Sequence, residues 1–176
     1  RNLKERVLMI TLTPYTEEMK CPLISWIADF YGFHAALLRG ESEITEKEYI
    51  EAEKTLRTWL QPAHEVYGIQ SGQTLVGFLH IGYRGETVAW IEDLYVAKPF
   101  REQGIATEAI HLAETIVQSR PGYTAICFDV VPRNEAALRL YHRLGYDCLS
   151  LLTVRKELYA SDRDKTETLL GLEFRY

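Results

Sequence analysis

No apolar run in this 176-residue chain approaches the roughly 18 residues that a membrane-spanning helix needs. Proline is scarce (6) and glycine modest (11), and they do not gather with serine into a linker. Internal repeats and low-complexity segments are also missing, so residues 1–176 read as one domain. Positive charge is in deficit: 20 Lys and Arg against 25 Asp and Glu leave −5, which argues against a general nucleic-acid binder. Cysteine is low and odd in number, at Cys21, Cys127 and Cys148. Such a set is no disulfide framework and suits reduced thiols in a cytoplasmic protein. The cysteines form no metal-type spacing with the five histidines, so no metal is expected. The segment Arg1 to Arg6 is polar and has no signal-peptide core, and the first residue is not Met.

The chain does contain ample core-forming material, 47% hydrophobic against 26% charged. Val7 to Thr11 reads as a strand, and a helix beginning at Thr13-Pro14 or Thr16 runs to about Tyr31. Thr45 with Glu48 makes a capping box for a second helix, with Tyr49, Ala52, Leu56, Trp59 and Leu60 near one face. Three strands follow, Val66 to Gln70, Thr74 to Tyr83 and Thr87 to Ala97. Turns at Ser71-Gly72 and Arg84-Gly85 make them an antiparallel meander. A third helix over 104–119 presents Ile105, Ala109, Leu112, Ile116 and Val117. Thr124 to Val131 is strand-like, and Asn134 caps a helix whose inner face is Ala137, Leu138, Tyr141 and Leu144, stopped by Gly145. Cys148 to Val154 and Thr168 to Phe174 close the chain as strands. Strand 87–97, helix 104–119 and strand 124–131 form a βαβ unit, which makes those two strands parallel neighbours in a mixed α/β (α+β) sheet.

The most informative stretch is Arg101-Glu102-Gln103-Gly104-Ile105-Ala106. A strand, a short basic loop with a glycine, and a helix N-terminus together form a cradle for phosphate oxygens. The first backbone N–H groups of a helix have no intrahelical partner, and the helix dipole favours negative charge there.

With its companion motif, this loop is similar to that of the GNAT superfamily of acetyl-CoA-dependent N-acetyltransferases. The family's phosphate loop, Gln/Arg-x-x-Gly-x-Gly/Ala, is met by Arg101, Gly104 and Ala106. Its second signature, Asn-x-x-Ala-x-x-Leu-Tyr-x-x-x-Gly-Phe/Tyr, is met by Asn134, Ala137, Leu140, Tyr141, Gly145 and Tyr146. The resemblance is strong over 87–155 and rests on element order over 1–86. Many members carry Gly directly after the leading Arg; here Glu102 stands in that place, its side chain expected to point to solvent.

The resemblance implies a mixed, mostly antiparallel sheet of about seven strands flanked by about four helices. It also implies an acceptor-side half over 1–86, an acetyl-CoA-binding core over 87–155 and a C-terminal loop and strand over 156–176. The N–H groups from Gln103 to Ala106, through Gly104 and Ile105, hold the pyrophosphate of acetyl-CoA, with Arg101 and Lys98 adding charge and Glu102 alongside. Ile91 and Leu94 are three apart in an apolar strand, which breaks the period of two; a β-bulge near Asp93-Leu94 restores it. In the family the freed backbone binds the amide arm of the donor, which implies main-chain contacts at Leu94, Tyr95 and Val96. Asn134 either caps its helix or contacts that arm.

Catalysis is expected from Glu92, Asp93 and Tyr141. An amine arrives as an ammonium and must lose a proton before it attacks a thioester; a carboxylate can take it, directly or through water. Glu92 is slightly favoured over Asp93. Tyr141 is the matched family tyrosine, whose phenol donates to the departing thiolate. The cysteines and His142 are read as bystanders, and His34, His64, His80 and His111 have no partner visible in the sequence. In the family the first two helices and their link shape the acceptor site. That link carries Tyr31, Phe33, His34, Glu41 and Glu43, and the next helix Glu46, Glu48, Glu51 and Glu53. Of these Tyr31 and Phe33, with Glu92, are the expected acceptor-binding residues. Acidic groups there favour a cationic amine, although a solvated acidic helix face is the commoner reading of such residues. The expected activity is acetyl transfer to a small cationic amine by direct attack in a ternary complex. The alternatives are a protein or peptide N-acetyltransferase and a non-catalytic acyl-CoA-binding module. No membrane partner is expected, and the C-terminal strand edges suit pairing into a homodimer.

Overall fold

A computed structural model describes residues 9–39, 45–160 and 163–176. The chain falls into two compact units, one ending at Asp129 and one beginning at Val130, and each is described by itself. The described residues form seven strands and four α-helices. Five strands make the central sheet, in the order β1-β2-β3-β4-β5, and two make a separate hairpin.

In the first unit, β1 (Ile10–Pro14) pairs antiparallel with β2 (His64–Ser71), β2 with β3 (Thr74–Gly82) and β3 with β4 (Val88–Val96). The expected meander is present. The first strand lies three residues later than the expected Val7 to Thr11, whose first two residues fall outside the described ones. Pro14 is tolerated at its end because β1 is an edge strand. Helix α1 (Lys20–Arg39) starts later than expected, after a short 3-10 turn, and runs well past Tyr31. Gly32 does not stop it: one interior glycine costs about 1 kcal/mol, and Ala35, Ala36, Leu37 and Leu38 behind it are strong helix formers. Tyr31, Phe33 and His34 therefore sit on a helix and not in a link, while Glu41 and Glu43 lie outside the described residues.

Helix α2 (Glu46–Trp59) begins at Thr45 as expected, and the Thr45 N–H donates to the Glu48 carboxylate at 2.9 Å. Ala52, Leu56 and Trp59 are buried, whereas Tyr49 and Leu60 are exposed. These join Met19, Leu23, Ile27 and Ala28 from the first helical segment, and Phe78 and Tyr95 from the sheet, in one apolar cluster. The opposite sheet face carries Leu79, Ile81, Ile91 and Ala89, all buried. Helix α3 (Ile105–Gln118) lies against β4 and β1 and buries Ile105, Ala109, Ile110, Ala113 and Val117. Leu112 and Ile116, expected on that stripe, are only half-buried. With both faces covered, β3 reads as an almost continuous apolar run, as buried strands do.

Strand β5 (Ala125–Cys127) runs parallel to β4, as the βαβ reading requires, but it is much shorter than the expected Thr124 to Val131. Only Val88, Ala89 and Trp90 pair with it. In the second unit, Asn134 caps α4 (Glu135–Arg143) by accepting from the Ala137 N–H at 3.3 Å, and Gly145 ends the helix at φ +92°. Cys148 to Val154 is not a strand. It has no ladder partner among the described residues and leaves Leu149, Leu151, Leu152 and Val154 exposed, so an apolar pattern alone did not make a strand of it. The last two strands, β6 (Thr166–Leu169) and β7 (Leu172–Arg175), pair with each other instead.

Candidate active site

The expected bulge exists and falls one residue earlier than predicted. Opposite β3, His80 pairs with Asp93 and Ile81 with Ile91, so Glu92 is the extra residue. The bulge brings Ile91 (opposite Ile81) and Leu94 (opposite Leu79) to one face, which the broken period demanded. It also turns Asp93 and Tyr95 to the α1–α2 face. Beyond Trp90 the outer edge of β4, from Ile91 to Val96, has no strand partner among the described residues. The sheet parts there, beside the loop that leads into α3.

That loop takes two unusual backbone positions. Gly104 precedes α3 at φ +81°, ψ 0°, and a Cβ on it meets no atom within 4 Å, so the space in front is open. Glu102 is also left-handed, at φ +61°, where a side chain is strained. The first intrahelical bond of α3 runs from the Glu108 N–H to the Gly104 carbonyl at 3.1 Å. The N–H groups of Ile105, Ala106 and Thr107 thus lie ahead of the helical ladder. This fits a phosphate cradle. Arg101 through Gly104 are exposed, and Ile105 offers only its N–H because its side chain is buried. Arg101 is partly engaged: its Nε donates to the Val96 carbonyl at 2.8 Å, and its guanidinium lies 5.3 Å from the Tyr95 ring centre. The Val96 carbonyl, expected for the donor's arm, therefore already accepts one bond. The Tyr95 side chain belongs to the core, with its hydroxyl donating to Asp29 at 3.1 Å. Gln103 folds back to the Pro99 carbonyl at 3.3 Å.

The two candidate acids have different surroundings. Glu92 is gripped by Arg84, whose Nε donates to Oε1 at 2.8 Å and whose Nη2 donates to Oε2; Nη1 of the same arginine reaches Asp129 at 2.9 Å. Such a two-pronged pair is strong and occupies both carboxylate oxygens. Glu92 also lies over Gly82, where a Cβ would come within 2.2 Å of Oε1. Asp93 is buried and accepts from His80 Nδ1 at 2.8 Å, while His80 Nε2 lies 2.9 Å from His64 Nδ1. Trp59 stacks on His80 at 4.4 Å. Tyr31 is within electrostatic reach: burial first, then the charges of Asp93 and Glu92, push its phenol well above the ordinary range. Burial lowers His34, with Asp93 opposing. Tyr31, His34, Glu92 and Asp93 are thus brought together. Phe33 is exposed, 5.7 Å from the His34 ring.

The acidic helix residues are largely neutralised. Glu48 caps its own helix, Glu51 pairs with Lys54 at 2.8 Å, and Glu53 meets Arg57 at 3.0 Å and Lys20 at 3.2 Å. The solvated-face reading holds for these three. In the second unit, Tyr141 is half-buried on α4, and burial pushes its phenol up to about 12, which keeps it protonated. The three cysteines are free thiols, Cys21 and Cys148 exposed and Cys127 half-buried. Among the described residues no His, Cys, Asp and Glu group could hold a metal, and no helix is long and apolar enough to cross a membrane.

Sequence reasoning missed His64, His80, Arg84 and Trp59. The available signal was His80 itself, a polar residue inside the apolar run Val76 to Ile81, but its partners lie 13 and 16 residues away.

Known proteins share the fold of this chain. The fold is shared with YycN of Bacillus subtilis (20% identity, 85% of this chain and 99% of that one, TM-score 0.66). It is shared with the ribosomal-protein-alanine N-acetyltransferase of Brucella melitensis biovar Abortus 2308 (15%, 84% and 99%, 0.60). It is also shared with the aminoglycoside acetyltransferase meta-AAC0020, from an uncultured soil metagenomic sample, in complex with sisomicin (18%, 85% and 97%, 0.58). No curated protein matches the chain. The sequence model of the Acetyltransferase (GNAT) family matches residues 24–146, which spans the parted strand, the loop before α3 and the capped helix α4. The chain therefore belongs to the GNAT acetyltransferases and is an acyl-transferring enzyme.

Proposed function

We propose that residues 1–176 act as one N-acetyltransferase domain that moves the acetyl group of acetyl-CoA to a primary amine by direct attack in a ternary complex. The observation that carries this reading is the parting of β4 from β5 after Trp90, next to the left-handed Gly104 and the open N-terminus of α3. Bound there, acetyl-CoA supplies the activated acyl group. The chain's own residues do the rest. The N–H groups of Gln103 to Ala106 hold phosphate oxygens, and the free edge of β4 at Leu94 to Val96 receives the amide arm. Asp93 is the carboxylate behind amine deprotonation, since both oxygens of Glu92 are taken by Arg84. Tyr141, held protonated, donates to the departing thiolate.

A small cationic amine is the acceptor that suits the site. Asp93 and Glu92 place negative charge within reach of the exposed ring of Tyr31, an arrangement that attracts a cation. Similar solved structures include acetyltransferases of an aminoglycoside and of a ribosomal-protein alanine, so a peptide amine is the second acceptor class to test. An amine panel read by thiol release, run on wild type, Asp93→Asn, Glu92→Gln and Tyr141→Phe, decides the matter. Turnover with small polyamines or aminosugars, lost in Asp93→Asn and in Tyr141→Phe, supports the reading. Equal turnover in all four proteins overturns the residue roles. Failure of the wild type to bind acetyl-CoA in calorimetry overturns the activity itself.

A further inference from the structure

Among the described residues, His80 and Asp93 are the two polar side chains buried in the core. The side chain of His80 is 3% exposed and that of Asp93 11%, and both belong to one file of hydrogen bonds that ends at half-buried His64. The bonds fix the direction of the file. An ionised Asp93 can only accept, so the proton between it and His80 belongs to Nδ1 of His80. The Nε2 of neutral His80 is then an acceptor, and the proton between the rings belongs to Nδ1 of His64. His64 is left with a lone pair on Nε2, the outermost nitrogen of the three groups. Every donor points inward, toward the carboxylate.

We propose that Asp93, His80 and His64 form a relay in which His64 Nε2 receives the proton of the substrate amine and His80 is the positioning residue that ties it to Asp93. The inference rests on the N-acetyltransferase reading and deepens it. In the step, an N–H bond of the ammonium breaks and its electron pair stays on nitrogen, which becomes the nucleophile. The proton bonds to His64 Nε2. The Nδ1 proton of His64 then passes to His80 Nε2, which moves the positive charge one ring inward, where it faces the Asp93 carboxylate. Loss of a proton to water resets the file, and no other reactant takes part. Trp59, stacked on His80, keeps water from the inner bond and so preserves its strength.

The charges around the file agree with this role. His64 faces His80 from β3, Glu92 from β4 and Arg84 from the β3–β4 loop. Burial first, then His80 and Arg84, keep His64 neutral to lower pH, against the pull of Glu92. Asp93 faces His80, and Tyr31 and His34 of α1 lie within its field. A histidine neutral at working pH and backed by a buried carboxylate is ready to accept a proton.

The test combines kinetics with a spectroscopic readout. In the pH profile of kcat/KM, His64→Gln is expected to lose about 10²-fold or more and to flatten the acidic limb, with the KM for acetyl-CoA unchanged. Imidazole added to His64→Ala is expected to restore turnover, which a purely structural histidine does not allow. His80→Gln, which cuts the link, is expected to move the acidic limb to lower pH. In 15N-histidine NMR, Asp93→Asn is expected to lower the pH at which His64 titrates, although the two side chains do not touch. An unchanged His64 titration in Asp93→Asn overturns the relay, as does a wild-type pH profile in His64→Gln while the enzyme still acetylates amines. A wild type that turns over no amine overturns the acetyltransferase reading, and the catalytic role of the relay with it.

Discussion

Glu102 stands in the loop before α3 at φ +61°, a conformation that side chains rarely adopt. Replacing it with glycine removes the Cβ that makes this conformation costly, a relief of about 1–2 kcal/mol. The same replacement frees the unfolded chain, which returns about 0.4–1 kcal/mol. The balance is a gain of roughly 0.5–1 kcal/mol. At this chain length 1 kcal/mol corresponds to about 2–4 °C, so Tm is expected to rise by about 1–4 °C. Binding changes as well. A carboxylate about 8 Å from a doubly charged pyrophosphate costs about 1 kcal/mol in water. Physiological salt, with a Debye length of about 8 Å, reduces that to roughly 0.4 kcal/mol. Glu102→Gly is therefore expected to bind CoA about twofold more tightly at physiological salt, and more so at low salt. Calorimetric scanning and CoA titration at two ionic strengths measure both quantities. A lower Tm refutes the strain argument, and weaker or salt-independent CoA binding refutes the placement of phosphate at this loop.

Gly104→Ala reverses the first effect. At φ +81° an alanine is expected to cost about 1–2 kcal/mol in denaturant unfolding. Its methyl also projects into the open space before α3, so CoA affinity is expected to fall while the far-UV spectrum stays unchanged. Gly77→Ala tests the close approach of β3 and β4: the new Cβ would lie 2.1 Å from the Tyr95 carbonyl oxygen, so the strands must separate, with a loss of about 1–3 kcal/mol in urea titration. Stability should also depend on pH through His34 and His64, both lowered chiefly by burial. Below about pH 6.5 the unfolded chain takes up protons that these residues refuse in the fold, so stability falls as pH drops through that window. Urea midpoints at pH 7.5 and 5.5 measure the slope, and His34→Asn with His64→Gln is expected to flatten it.

What the sequence made legible was what is local. The loop from Arg101 to Ala106, the cap at Asn134 and the box at Thr45 depend on neighbours within a few residues, and each stands where its pattern implied. The bulge could be inferred from Ile91 and Leu94 alone because an interrupted period of two has few other remedies. The contact between His80 and Asp93 was illegible for the complementary reason. It requires the register of two strands, and that register shifts by one residue at Glu92 itself. The salt bridge that occupies Glu92 was equally hidden, since Arg84 reads as a turn residue until the hairpin closes. Cys148 to Val154 failed as a strand because strandness belongs to a pair and not to a segment.

The parting of β4 from β5 has a consequence for how such a protein can diverge. A ligand received along a bare strand edge and at a helix entrance is recognised by peptide groups, which every sequence possesses. Few side chains are then committed to such a ligand, and the others are left to vary. Recognition of that kind is written in the course of the main chain and not in its ornament. Chains only 15–20% identical to this one can thus hold the same fold.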